Sequence, residues 1–93
     1  MTRRPSHAGE ILKELYLNDL GISQQAFAKA LGVSFRTINE IVNKKRAISV
    51  DMALRLSLAL GTTPQFWLNL QNNYDVFLKA KDKKLADIKP LFA

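Results

Sequence analysis

Ninety-three residues without a cysteine allow one modest core and leave out both disulfides and thiolate metal sites. A formal net charge of +6 and a pI near 9.9 make a polyanionic partner the natural one to look for. No apolar run reaches membrane-spanning length and the N-terminus shows no signal-peptide core, so a cytoplasmic protein in a reducing compartment, with no membrane partner, is expected.

Residues 1–8, with Arg3, Arg4 and Pro5, read as a short arm, residues 9–84 as the folded domain and residues 85–93 as a tail. A first helix is expected from about Gly9 to Asn18, with Ile11, Leu12, Leu15 and Tyr16 as its buried stripe. Gly21 then breaks the chain. Ser23 is a good N-cap for a second helix, Gln24–Leu31, because its hydroxyl accepts an otherwise unpaired backbone N–H. Ile22 and Phe27 form a hydrophobic staple across that cap, and Val33, Ser34 and Ile38 repeat the device for a third helix, Phe35–Asn43. Gly32 between them supplies the positive φ of a tight turn.

A fourth helix, Val50 to Leu60, opens on Ser49 and ends at Gly61. Its Val50, Ala53, Leu54, Leu56, Leu58 and Leu60 surround most of its circumference, which predicts a helix buried on most sides. Asp51 and Arg55, four apart, form a weak pair on what remains. Thr63-Pro64 starts a fifth helix that extends to about Lys84. With no strand-like alternation, the expected class is all-α, five helices.

Two short helices joined by a tight turn have the layout of a DNA-binding helix-turn-helix. At about 100° per residue, Ile38, Ile41 and Val42 share one side of the third helix, while Arg36, Asn39, Glu40 and Asn43 share the other and Thr37 lies between. One side anchors in the protein and the other is offered to a major groove. Arginine can donate two parallel bonds to guanine, and asparagine can pair with adenine. Arg36, in the first turn, is the leading base reader and Asn39 the second. Thr37 suits a phosphate or a thymine methyl. Glu40 either accepts from a cytosine amine or repels phosphate and orients Arg36. Phe35 either packs in the core or meets a thymine methyl. Lys44, Lys45 and Arg46 follow as phosphate ligands, which position without specifying. Gln24, at a helix N-terminus, suits a backbone phosphate. Ser34 and Asn43, at the two ends of the third helix, complete the candidate DNA-binding set. The five lysines of residues 79–89, opposed by Asp82 and Asp87, read as a solvated helix end or as a second basic flank.

One such module reads few base pairs. A two-fold dimer places two recognition helices in successive major grooves, about 34 Å apart. Trp67, Tyr74, Phe77 and Leu78 on the fifth helix are the candidate dimer interface, with Trp67 equally a core residue; Phe66 and Leu70 are expected to face the core. The alternative is a terminal helix that buries these aromatics within its own chain. Catalysis finds no support: the single histidine, His7, lies near the chain start with no cysteine beside it and reads as a capping or packing group. No glycine-rich phosphate loop and no convergent ligand set is visible. No catalytic residue, cofactor or metal is therefore assigned.

The spacing Gln24, Ala28, Gly32, Ile38, Ile41 matches the helix-turn-helix signature of phage-repressor-like proteins. His7-Ala8-Gly9-Glu10-Ile11-Leu12 resembles the HPGEIL start of the HigA family of antitoxins, with Ala8 in place of the commoner proline. NEIVNKKRAIS (Asn39 to Ser49), DMALRLSLALGTTPQFWLNLQ (Asp51 to Gln71) and Tyr74-Asp75 are similar to that family's remaining motifs, so the resemblance covers roughly residues 7 to 76. It implies a five-helix phage-repressor-like domain, a homodimer, and repression of the protein's own promoter through double-stranded operator DNA. It also implies neutralisation of a HigB/RelE-like toxin, a ribosome-dependent messenger-RNA nuclease. Solitary members without a toxin are the alternative.

Overall fold

The computed structural model describes residues 4–92, and every element among them is helical. Arg3 of the expected arm and Ala93 of the tail lie outside the described residues.

The first helix, α1, is built of three continuous segments: an α turn Ala8–Ile11, a π-helical stretch Leu12–Leu17 and a last α turn Asn18–Leu20. It starts on His7, whose Nδ1 accepts the Gly9 backbone N–H at 2.8 Å. The π stretch corrects the expected stripe. Its i→i+5 repeat aligns Leu12 with Leu17, and both are buried, while Leu15 is turned outward and is 57% exposed. Ile11 and Tyr16 are half-buried.

Helices α2 (Gln24–Leu31) and α3 (Phe35–Val42) form the helix-turn-helix. Ser23 and Ser34 cap them, each hydroxyl accepting a backbone N–H at 3.1 Å, from Ala26 and from Thr37. Gly32 holds φ at 72° in the turn. Arg55 of the next helix donates to the Leu31 carbonyl at 2.7 Å, satisfying a group that the end of α2 leaves open, and also pairs with Asp51 at 2.8 Å.

Helix α4 (Val50–Leu60) packs along α5 (Pro64–Lys79). The core joins Leu12, Leu17, Phe27, Ala28, Leu31, Ile38, Ile41, Met52, Leu56 and Trp67. Burying each large aliphatic among them contributes about 1.5–3 kcal/mol before chain entropy is charged. The expectation that α4 is buried on most sides is corrected: Met52, Ala53, Leu56 and Ser57 face the core, but Val50, Leu54 and Leu58 form an outward stripe, with Leu58 85% exposed. Apolar composition marks what a face can bury and does not supply a neighbour to bury it against.

The fifth helix stops at Lys79 rather than near Lys84. Asp82 takes an extended backbone and uses its carboxylate to accept from the Lys84 N–H at 2.9 Å, opening a 3-10 turn, Lys83–Asp87, that crosses the expected boundary between domain and tail. No helix of the described residues is long and apolar enough to cross a membrane.

Candidate nucleic-acid interface

Helix α3 is seated by Ile38 and Ile41, both fully buried, and by Val42. The opposite side is open. The Arg36 side chain is 84% exposed, and Asn39 and Glu40 are half-buried beside it. The division between anchored and offered faces that the periodicity predicts is present.

The individual groups are less free than the sequence suggests. The Asn39 amide donates to Gln24 Oε1 across the turn at 3.1 Å, so the first residue of α2 and the middle of α3 share one polar edge. Ser34 bonds the Thr37 hydroxyl at 2.9 Å while capping α3, which turns both hydroxyls toward each other at the helix start. Asn43 lies just beyond α3, as its C-cap, and its amide donates back to the Asn39 carbonyl at 2.9 Å. Phe35 is 47% exposed, so of its two readings core packing is ruled out.

The cations after α3 are arranged by carboxylates. Glu40 Oε1 accepts from Arg46 Nη2 at 2.8 Å and Nε at 3.1 Å, and Glu40 Oε2 lies 3.5 Å from Arg36 Nε. The Arg46 bonds hold the Glu40 carboxyl below its ordinary range, with Arg36 adding to the effect. Lys44 has a left-handed backbone, φ 62°, and its ammonium is 2.8 Å from Glu10 at the start of α1. That hydrogen bond lowers the Glu10 carboxyl in turn. Arg4 reaches the same Glu10 oxygen at 3.4 Å. Lys45 is exposed and makes no ion pair among the described residues.

Sequence reasoning missed how α1 meets α3. Gly9 is buried, and a β-carbon on it would collide with the Ile41 carbonyl oxygen. His7 is buried too, edge-on to Tyr74 with ring centroids 4.9 Å apart, and burial pushes its imidazole pKa down. A glycine inside the first turn of a helix, where it is a poorer helix former than alanine, is the signal that marks this close approach.

The four residues proposed for a dimer contact separate. Trp67 is fully buried and its indole N–H donates to Thr62 Oγ1 at 2.7 Å, so it belongs to the core of the single chain and leaves the interface set. Phe66, expected inside, is 37% exposed and stands edge-on against it at 5.0 Å. Tyr74 is half-buried between His7 and Arg4. Phe77 is half-buried with Lys81 over its ring at 4.5 Å, and Leu78 is 47% exposed. Among the described residues no group of three or more His, Cys, Asp or Glu side chains converges as a metal site.

This geometry has close counterparts. The helix-turn-helix family model matches residues 12–67. Antitoxin HigA-1 of Vibrio cholerae serotype O1 is 37% identical over 92 residues, covering 97% of this chain and 87% of that one. The chain belongs to the HigA family of helix-turn-helix antitoxins. Among solved structures of similar proteins, antitoxin GraA in complex with its operator superposes with a TM-score of 0.89 at 43% identity, over 100% of this chain and 97% of that one. The Pseudomonas aeruginosa antitoxin HigA with the higBA promoter superposes with a TM-score of 0.88 at 44% identity, over 96% and 100%. For a HigA-family chain the all-α architecture is the expected one. The helix-turn-helix match takes in all of α2, α3 and α4 and ends at Trp67, so Tyr74, Phe77 and Leu78 lie beyond it.

Proposed function

We propose that this protein is the antitoxin of a type II toxin–antitoxin pair. It binds its own operator as a dimeric repressor through α3 and neutralises a HigB/RelE-like messenger-RNA-cleaving toxin. One observation carries the DNA half: Arg36 projects 84% exposed from the first turn of a helix whose other side is locked by Ile38 and Ile41. Relatives of the same fold have been solved on an operator and on a promoter, which supports the same use of this face.

The mechanism follows from the residue types. Arg36 and Asn39 read base edges in the major groove. Lys45, with Lys44 and Arg46, holds the phosphate backbone, and Gln24, at the N-terminus of α2, is placed for a phosphate while it fixes Asn39. Phe35 offers an apolar edge to a thymine methyl, and Ser34, Thr37 and Asn43 frame the two ends of the helix. Two copies joined through the uncovered end of α5, at Phe77 and Leu78 with the rim of Tyr74, present two α3 helices to successive grooves. A protein with this work acts in the cytoplasm, where the operator and the toxin are.

Titration of the chain's own promoter DNA at two salt concentrations tests the repressor reading. Affinity is expected to fall steeply as salt rises and to exceed that for a scrambled duplex. Equal binding to both duplexes overturns it. Ribosome-dependent messenger-RNA cleavage by a purified RelE-like toxin, with and without this protein, tests the antitoxin role. Sedimentation of the free protein tests the dimer, with a concentration-independent monomer as the contrary result.

A further inference from the structure

The basic face of α3 carries a carboxylate in its middle, and each of its oxygens faces an arginine. Glu40 gives one oxygen to two bonds from Arg46 and turns the other toward Arg36. Its side chain is only 25% exposed, whereas Arg36 is 84% and Arg46 49% exposed. Of the four cations on and after α3, Arg36 and Arg46 are thus held by Glu40 and Lys44 by Glu10, which leaves Lys45 without an ion pair among the described residues. A surface built only to attract DNA would not spend its arginines in this way.

We propose that Glu40 is the specificity-setting residue of this interface, a positioning residue that withholds Arg36 and Arg46 from non-cognate DNA. The inference rests on the operator reading above. Binding to arbitrary DNA draws almost entirely on the charge available to phosphates. Each arginine kept by Glu40 removes part of that charge, and the carboxylate itself repels the backbone. At the operator, a guanine placed under Arg36 offers two acceptors in a fixed fork, which replaces the longer 3.5 Å contact to Glu40. Arg46, bound to Glu40 through Nε and Nη2, keeps Glu40 in place while Arg36 leaves, and its Nη1 still serves the phosphate contact proposed above. The carboxylate therefore weakens all binding, and the correct sequence alone compensates. This arrangement also bears on the two roles open to Glu40. With Oε1 accepting twice from Arg46 and Oε2 facing Arg36, the free protein favours the arginine-orienting role over acceptance from a cytosine amine.

The test uses the full chain, its own promoter duplex and a scrambled duplex of equal length and composition, titrated across a series of salt concentrations. For Glu40→Gln, affinity for the scrambled duplex rises roughly five- to tenfold, and the slope of log affinity against log salt steepens by about 0.9 for each cation released. Affinity for the promoter rises less, so the ratio of the two shrinks. Glu40→Ala, with a melting temperature measured alongside, gives the same shift in a side chain that accepts no bond. Unchanged scrambled-duplex affinity and slope in both folded variants, with a wild-type chain that still prefers its promoter, overturns this inference alone. Loss of promoter affinity confined to one base-pair position also overturns it, because Glu40 then reads that base directly. A wild-type chain that binds both duplexes equally overturns the operator reading and this inference with it.

Discussion

Asn39 and Gln24 are bonded to each other across the helix-turn-helix, the Asn39 amide donating to Gln24 Oε1 at 3.1 Å. An asparagine amide has two N–H donors and one carbonyl acceptor. One donor is spent on Gln24, and the other donor and the carbonyl remain for the two edge positions of an adenine. On the proposed reading, Gln24 fixes the plane in which Asn39 is offered to a base. Gln24→Ala and Asn39→Ala are expected to be non-additive in operator affinity, with a coupling of about 0.5–3 kcal/mol in a double-mutant cycle. Simple additivity would make the two residues independent contacts.

Arg36→Ala is expected to cost about 1–3 kcal/mol at the operator and to relax base preference at one position per half-site. Binding-site selection on a randomised half-site measures both. Equal weakening on every sequence would assign Arg36 to the phosphates.

Lys45→Ala is expected to weaken binding to any duplex similarly and to lower the salt slope by about one. Its exposed ammonium, with no ion pair among the described residues, is the most available cation beside α3. A slope that does not move would remove Lys45 from the backbone contacts.

Gly9→Ala is expected to destabilise the domain by about 1–3 kcal/mol, because the added methyl meets the Ile41 carbonyl and forces α1 away from α3. Chemical denaturation of the variant checks this. Gly21→Ala is a useful contrast, since Gly21 has open space around it and only its φ of 67° resists a side chain.

His7 gives a pH dependence whose sign follows from its cap. The Gly9 N–H donates to Nδ1, so only the neutral ring can serve, and burial lowers the imidazole below its ordinary 6.5, against the opposing pull of Asp75 and Glu10. The unfolded chain then binds the proton first as pH falls. This contribution to stability is complete above about pH 6.5 and is lost as pH drops through the folded value. Denaturation midpoints from pH 8 to 5 are expected to decline more for the wild type than for His7→Asn, which offers an acceptor that does not titrate. Parallel curves would show that His7 is not the titrating group.

Local chemistry made much of this molecule legible. Ser23, Ser34, Ser49 and Thr63 all cap the helices their positions announce, because a cap is a contact between residues three apart. The two faces of α3 follow from its period. Contacts that close over distance were not readable. Leu15 turned outward because a π stretch shifted the repeat, and Leu54 and Leu58 are apolar yet face outward from α4. The Arg46–Glu40 pair spans six residues and the Lys44–Glu10 pair joins the residues after α3 to the start of α1, both beyond any helical spacing rule. Trp67 illustrates the remaining ambiguity: its spacing allowed core or surface, and the Thr62 hydroxyl that receives its N–H supplied the polar partner a buried indole needs.

The placement of Trp67 has a practical corollary. The chain has a single tryptophan, and it is sealed away from solvent. Its emission is thus expected to report whether the domain is folded more than what occupies the α3 face. Melting can be followed on the untagged protein, whereas occupancy of a duplex has to be read from a fluorophore on the nucleic acid.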